Sequence, residues 1–578
     1  MSFGVKAQEN HTHQNAPTKQ ISADKIIAET NIPKEHSDKF GHLLVQNFEG
    51  RIVPMNTQAL DVLRKLYKHD EFKGTAGNAL DANQWFLSVN TDVQSWTMVP
   101  VIKIGTKGGD ELKKKTKANS DGYTSLVKLF PVNPKTGEMY YVLEKDYNDA
   151  FRKKPSEQTN YDKEVIAVNE RVQIFNEFFS GQFMRIVPVK NDANHRWNSW
   201  MDANLEPDAE SQKIMAPYFI QVLDARRTGN WEKADSELQK LSDYQQKWGK
   251  NVVPPKSKVD LEVFMNQMNI NFKLLIFYSI IGSLLLILGF AELFKPKKIL
   301  NKIVKTIIAI GFVGYVFHFL GLVARWYISG HAPWSNGYEA IIFISWVGIT
   351  AGFLLYRNSN ALIPAAGFMV AVIMMGFAHG GSALDPQITP LVPVLKSYWL
   401  IIHVAIITSS YGFFALSMII AVITLFFYIV SGKKLYKIHH NSTIKELTIV
   451  SEMSLSIGLF ALTVGNFLGG IWANESWGRY WSWDPKETWA FISIMVYAIV
   501  LHLRLVPGLR GRWAFHVAAM FAFSSMVMTY FGVNYYLSGL HSYAKGDPVP
   551  VPVWVYLGLA FMLLLSAFSY FKVKELKN

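Results

Sequence analysis

The hydrophobic pattern of the chain changes near residue 271. Before this point apolar residues occur in short runs among charged ones, alternating over 43–48 and helically spaced over 58–67. From residue 272 the chain contains nine apolar stretches near or above the ~20 residues that cross a bilayer. The pattern predicts a polytopic α-helical membrane protein, with an α+β domain over 1–271 and nine spans over 272–578. The expected spans are 272–294, 303–327, 338–355, 361–378, 399–430, 449–471, 487–505, 513–535 and 553–571.

Local signals predict further elements of the first domain. Glu49-Gly50-Arg51 follows the alternating run and predicts a tight hairpin turn. Helical spacing over 171–184 and 231–248 predicts two more helices. Residues 1–35 are polar, and we expect them to be loosely ordered, with their two histidines solvated rather than bound to a metal.

The composition limits the chemistry that the chain can perform. Of its 578 residues, 50% are hydrophobic and 18% are charged, which excludes disorder and a coiled-coil rod. Cysteine is absent, so disulfides, zinc–thiolate sites, iron–sulfur clusters and a cysteine nucleophile are excluded. Histidine is then the strongest remaining ligand for a metal such as iron.

The basic residues predict the orientation of the spans. Sixteen lysines and arginines fall in the connections at one end of the spans, and five fall at the other end. Because cytoplasmic loops are enriched in basic residues, we expect the end with sixteen to face the cytoplasm and residues 1–271 to lie outside. This orientation explains the net charge of +13 without nucleic-acid binding. The five outer residues are Arg325, Lys396, Arg479, Lys486 and Lys545.

An external domain must be translocated, yet Met1 is not followed by the basic segment and apolar core of a signal peptide. Two interpretations stay open. The chain is the C-terminal part of a longer product, which we favour, or an upstream membrane segment is supplied separately.

Five of the seventeen tryptophans lie between residues 472 and 489. An interfacial aromatic belt explains one or two rings at each end of a span, but five in one outer loop, 472–490, favour a platform for a flat aromatic ligand. Asp484, Pro485 and Glu487 form a helix start, and we expect Asp484 to cap that helix rather than contact the ligand. The aromatic residues of this loop are Trp472, Trp477, Tyr480, Trp481, Trp483 and Trp489.

Three histidines in or near the spans are candidate metal ligands, because ionisable groups in spans are costly and commonly functional. His403 lies near the outer end of the fifth span, and His541 lies just beyond the outer end of the eighth. They flank the aromatic loop at about the same depth, which favours a shared metal. His502 lies toward the inner end of the seventh span.

The segment Trp477–Trp489, WGRYWSWDPKETW, resembles the tryptophan-rich motif of haem-handling membrane proteins. Arg325-Trp326 and Gly330–Glu339 are similar to the CcsA branch of that family, which acts in system II cytochrome c biogenesis. His403 and His541 stand at the places of its two external haem ligands, and His502 at the place of a membrane-embedded one. The resemblance covers 272–578. Residues 1–271 resemble, more weakly, the tail of the ResB/CcsB part of fused CcsBA synthases.

This resemblance implies that the protein exports haem b and attaches it covalently to the CxxCH motif of an apocytochrome c, which is holocytochrome c synthase, or haem lyase, activity. It also implies a bacterial inner-membrane protein in contact with lipid, with its large domain in the periplasm. The aromatic loop would contact the porphyrin, and His403 and His541 would bind the iron. Because the chain has no thiol, we expect a thioredoxin-like thiol reductase as a partner.

Several points stay open. Fused synthases carry a second membrane histidine in the upstream CcsB half, which this sequence does not contain, so we expect full activity to need that half. We interpret His318 as a hydrogen-bonded polar residue rather than a substitute ligand. Arg325, with His331 and Glu339, either packs an outer loop or contacts haem propionates. The alternative functions are a haem exporter or chaperone without lyase activity, and a transporter of another aromatic ligand.

Overall fold

The computed structural model divides the chain into two units, with the boundary between Val259 and Asp260. The first membrane span begins at Ile270, shortly after this boundary. The residues described are 21–154, 157–199, 209–294, 298–356, 360–380, 384, 386–391, 395–433, 436, 440–537, 551 and 553–577.

Helices dominate the first unit, and four short antiparallel strand pairs connect them. The helices are α1 Ala23–Thr30, α2 Lys34–Gly41, α3 Met55–Tyr67, α4 Ala82–Thr91, α5 Val93–Thr97, α6 Gly109–Lys115, α7 Leu126–Leu129, α8 Glu144–Arg152, α9 Asn160–Phe179, α10 Ala209–Thr228, α11 Glu232–Trp248 and α12 Lys256–Met268, the last of which crosses the boundary. The strand pairs are β1 Leu44–Gln46 with β2 Ile52–Pro54, β3 Glu71–Lys73 with β4 Ala79–Asp81, β5 Ile102–Lys103 with β6 Tyr123–Thr124, and β7 Arg185–Pro188 with β8 Trp197–Ser199.

The predicted hairpin turn is confirmed. Strands β1 and β2 pair with Val45 opposite Val53. Between them, the Asn47 side-chain oxygen accepts the backbone N–H groups of Glu49 and Arg51 at 3.1 and 2.9 Å. Gly50 has φ +84°, a conformation that glycine adopts without steric cost.

Other predictions for this unit differ in outcome. Helices α3 and α11 confirm the helical spacing over 58–67 and 231–248. The helix predicted over 171–184 is the second half of the longer α9, which ends at Phe179. Loose order is wrong for the residues after Ser22, because the Ser22 hydroxyl caps α1 and this helix buries Ile26. The two histidines before residue 21 lie outside the described residues.

One buried glutamine links three elements of the first unit. The amide group of Gln245, on α11, donates to the backbone oxygens of Leu44 and Ile186 at 2.8 and 2.9 Å. Its side-chain oxygen accepts the Leu44 N–H at 3.1 Å. The side chain thereby satisfies backbone groups of β1 and β7 that would otherwise be buried without partners.

In the described part of the second unit, nine helices are long and apolar enough to cross a membrane, as predicted. In order from the first to the ninth span they are Ile270–Phe294, Lys298–Ser329, Gly337–Tyr356, Leu362–Gly380, Tyr398–Val430, Asn441–Trp477, Pro485–Leu505, Arg512–Gly532 and Val553–Leu576. The fifth and sixth spans form the most extensive helix pair. The third span is the most enclosed, and the ninth is the most exposed.

The sixth span is longer than predicted. Its apolar stretch was expected to end at residue 471, but the helix continues through Trp477 and gives a total of 37 residues. Gly478, with φ +71°, ends the helix, and its N–H bonds to the Asn474 carbonyl. The next helix begins at Pro485. The loop predicted over 472–490 is therefore confined to 478–484.

Candidate functional site

A cavity of about 440 Å³ lies at the end of the second unit where the sixth and seventh spans are joined. Its wall combines the connection between the second and third spans, the starts of the fifth and seventh spans and the ends of the sixth and eighth. Most lining residues are apolar or aromatic, with a few polar groups among them. Its volume falls within the ~300–1,000 Å³ typical of small-molecule and cofactor sites.

His403 lines this cavity from the fifth span. Its Nδ1 lies 2.7 Å from the carbonyl oxygen of Gly465 on the sixth span. Because a carbonyl only accepts, Nδ1 carries the proton in this hydrogen bond, and the lone pair of the neutral ring belongs to Nε2. This is the tautomer of a histidine that binds a metal through Nε2 while a backbone oxygen orients its ring.

Gly469 lets the sixth span approach this imidazole. A Cβ atom at residue 469 would lie 2.5 Å from Cε1 of His403, closer than carbon atoms pack. Gly465, one turn earlier, would place its own Cβ 2.5 Å from Ile407 on the fifth span. The two glycines therefore allow the close packing that brings the ring to the Gly465 carbonyl.

Only three of the six aromatic residues predicted as one platform line the cavity. Trp472, Tyr480 and Trp481 line the cavity. Trp477 packs edge-on against Trp472, with ring centroids 4.7 Å apart, and supports it from behind. Trp483 is 72% exposed. Trp489 is on the seventh span and does not line the cavity.

Glu487 determines the conformation of the loop around Trp483. Its Oε2 accepts the backbone N–H groups of Ser482 and Asp484, at 2.9 and 3.4 Å, on the two sides of Trp483. Trp483 itself has φ +58°, which is uncommon for a bulky residue. Its indole does not line the cavity and packs edge-on against that of Trp481, with ring centroids 5.7 Å apart.

The predicted helix cap at Asp484 is confirmed. The Asp484 carboxylate accepts the Lys486 N–H at 3.0 Å, and Glu487 completes the capping box. Asp484 is buried and does not line the cavity. It fixes the start of the seventh span and thereby the end of the aromatic loop.

Arg325 lies outside the cavity wall. Its Nε donates to Glu339 Oε1 at 2.7 Å, and its Nη2 donates to the carbonyl oxygens of Pro386 and Gln387 at 2.9 and 3.0 Å. The other Glu339 oxygen accepts from the backbone and hydroxyl of Ser335. These contacts favour loop packing over propionate contact, the two roles that the sequence left open for Arg325.

His502 and His318 do not line the cavity. His502 is exposed at the opposite end of the seventh span, where its Nδ1 donates to the Ala498 carbonyl at 2.7 Å. His541 lies outside the described residues. His318 is buried near Tyr278, and the Ile342 backbone lies close to its imidazole. The interpretation of His318 as a hydrogen-bonded polar residue stays a prediction.

Several polar and aromatic residues of the cavity were not predicted as site residues. Lys486 and Glu487 line it at the start of the seventh span, although the sequence suggested only a helix start there. Trp334 lines it from the connection after the second span, and its indole N–H donates to the Ile401 carbonyl at 3.2 Å. Trp334 could have been predicted as a site residue, because it belongs to Gly330–Glu339, the segment that is similar to the CcsA branch. His331, treated before only as part of a polar cluster, also lines the cavity.

Comparison with known proteins identifies relatives of this chain. The profile of the family "Cytochrome C assembly protein" matches residues 334–541. "Protein NrfI" of Wolinella succinogenes is 38% identical over 537 residues, which is 93% of this chain and 58% of that protein. "Cytochrome c biogenesis protein CcsA" of Prochlorococcus marinus (strain MIT 9215) is 37% identical over 296 residues, which is 47% of this chain and 92% of that protein.

The NrfI match extends through most of the first unit, because it includes 93% of the chain. The chain spans little more than half of that relative's length, 58%. Among solved structures, "Cytochrome c Heme Lyase CcmF" aligns with 53% of this chain and 50% of its own, with 17% identity and a TM-score of 0.35.

Proposed function

Because this chain belongs to the CcsA family of cytochrome c biogenesis proteins, we propose that it binds haem b in the cavity around His403 and attaches it to the CxxCH motif of an apocytochrome c. Haem is here a substrate, which enters the cavity and leaves it as part of the product. The chain acts as a holocytochrome c synthase, or haem lyase.

The observation that carries this proposal is the position of His403. Its ring lies in an aromatic-lined cavity, and the Gly465 carbonyl assigns the lone pair to Nε2. Porphyrin iron already has four nitrogen ligands, so a protein needs to supply only axial ones. One oriented imidazole beside Trp472 and Trp481 suits a flat metal complex, because indole rings bury the apolar porphyrin face. His541 is proposed as the second external ligand from its sequence position.

The reaction itself requires little from the protein beyond placement. In each thioether, a cysteine sulfur bonds to the inner carbon of a haem vinyl, and the thiol hydrogen goes to the terminal carbon. Atoms and electrons balance without an oxidant or a leaving group. Holding the vinyl edge beside the CxxCH thiols converts a slow bimolecular addition into a positioned one.

The partners and location follow from the same proposal. The cavity end of the second unit and the first unit face the bacterial periplasm, and the spans cross the inner membrane in contact with lipid. A thioredoxin-like reductase keeps the CxxCH cysteines reduced, since this chain has no thiol. His502, exposed at the far end of the seventh span, is a membrane haem ligand that pairs with a histidine of an upstream CcsB half.

The test has two stages. The full chain is purified together with its upstream half from haem-replete cells, and its visible spectrum is recorded. We expect a Soret band in the wild-type protein and a changed or weakened band in H403A. A colourless wild-type protein would contradict haem binding altogether.

The second stage separates a synthase from an exporter or chaperone. A CxxCH substrate is co-expressed in cells without another cytochrome c maturation system, then denatured and stained for covalent haem. Stained substrate with the wild-type protein, and none with H403A, supports the synthase. A red protein with an unstained substrate supports the exporter or chaperone instead.

A further inference from the structure

We propose that Lys486 orients the porphyrin in the cavity by pairing its ammonium group with a haem propionate. This inference rests on the proposed function, because it assumes that a porphyrin is the ligand. It assigns to Lys486 a role that the sequence left open for Arg325.

The placement of Lys486 is the first argument. It is the second residue of the seventh span, it is half-buried, and it lines the same cavity as His403 and Trp481. Among the described residues of the cavity wall, it is the only lysine or arginine. A mostly apolar wall therefore carries one lysine side chain, next to the Glu487 carboxylate.

The second argument is that this charge has no close ion pair. Within the described part of the chain, no carboxylate lies within 4.0 Å of the Lys486 ammonium, although that of Asp484 is near enough to attract it electrostatically. The two acidic side chains next to it already bind backbone N–H groups. Asp484 accepts from Lys486 N–H at 3.0 Å, and Glu487 accepts from Ser482 N–H at 2.9 Å. An ammonium withdrawn from water without a counter-ion is costly, so a ligand carboxylate at this position is stabilised.

The third argument is that Arg325 cannot take this role in the observed arrangement. Its guanidinium binds Glu339 and two backbone carbonyls, and its side chain is only 16% exposed. Releasing it would leave the fully buried Glu339 carboxylate without its counter-ion. Pairing Lys486 with a propionate breaks no ion pair of the described residues.

This pairing would determine which edge of the porphyrin faces Lys486. Its two propionates are on one edge of the porphyrin and its two vinyl groups are on the opposite edge. Pairing the propionate edge with Lys486 directs the vinyl edge to the far side of the cavity, where the CxxCH thiols must arrive. Lys486 is thus a positioning residue that does not touch the reacting atoms.

The test compares haem with haem dimethyl ester, in which both propionates are neutral. Each porphyrin is titrated into the purified full chain with its upstream half, and the ratio of the two affinities is compared between variants. Partitioning of the ester into detergent is the same for every variant and cancels in this comparison. The variants are K486M, K486R and, as the matched control, K396M, which removes an exposed lysine outside the cavity wall.

We expect K486M to reduce the preference for the free acid by about tenfold or more, the range for a hydrogen bond to a charged group. K486R should keep part of the preference, and K396M should match the wild type. An unchanged ratio in K486M, or equal wild-type affinity for acid and ester, would overturn the Lys486 proposal while haem binding stands. A wild-type protein that binds neither porphyrin would instead overturn the proposed function.

Discussion

At the residue scale, the environment of His403 depends on two neighbours without side chains. The Gly465 carbonyl accepts the Nδ1 proton, and Gly469 leaves the space that the ring occupies. Because these glycines are one turn apart on the same helix, the sixth span both orients the imidazole and accommodates it.

We therefore predict that G469A displaces the His403 ring and weakens haem binding nearly as much as H403A. The added Cβ would lie 2.5 Å from Cε1 of the ring. Because the fifth and sixth spans are closely packed, the imidazole must shift to relieve this overlap. The Soret absorbance of the purified variant is the measurement. G376A is the matched control, because a Cβ there meets no atom within 4 Å. A normal spectrum for G469A would show that the ring is not confined as described.

The sequence pointed to His403 and to six aromatic residues, three of which line the cavity, but it did not reveal which polar groups are already paired. Whether Arg325 is available depends on the carbonyls of Pro386 and Gln387, about 60 residues away along the chain. The sequence likewise indicated only that Lys486 belongs to a helix start, because its distant neighbours cannot be read from local sequence. Its position in the cavity wall depends on how the third, fifth, sixth and eighth spans pack around it. No local sequence pattern encodes this packing.

At the element scale, hydropathy predicted the number of spans but not where each helix ends. The sixth span continues from residue 471 to Trp477, because hydropathy indicates where lipid contact stops and not where backbone hydrogen bonds stop. Gly478 could have predicted where this helix ends, since glycine is the commonest residue just after the last residue of a helix. Strand β1 and its turn were predicted because alternation and a glycine agreed locally.

Gln245 allows a test of how the elements of the first unit hold together. We predict that Q245L lowers the free energy of unfolding of this unit by about 1–3 kcal/mol, since three backbone groups of Leu44 and Ile186 lose their partner. Q239L, at an exposed position of the same helix, should change it by less than about 0.5 kcal/mol. Denaturant-dependent proteolysis of the full chain measures both. Equal effects of the two variants would contradict the linking role of Gln245.

At the scale of the whole molecule, the absence of cysteine makes the orientation directly testable. Single cysteines are introduced at exposed positions, and intact spheroplasts are treated with a membrane-impermeant maleimide. We predict that K135C, in the first unit, and K396C, between the fourth and fifth spans, react before permeabilisation. R510C, between the seventh and eighth spans, should react only afterwards. The unsubstituted chain is the unlabelled control, and the reverse pattern would invert the proposed topology.

The length of the sixth span has a consequence for the proposed reaction with an apocytochrome c. Its 37 residues form a rod of about 55 Å, whereas the hydrocarbon layer is about 30 Å thick. The turn and a half that carries Trp472 and Trp477 lies beyond the apolar stretch predicted to cross the bilayer. Under the proposed function, an unfolded cytochrome therefore receives its haem without entering the lipid, and its CxxCH segment needs no hydrophobic flanks.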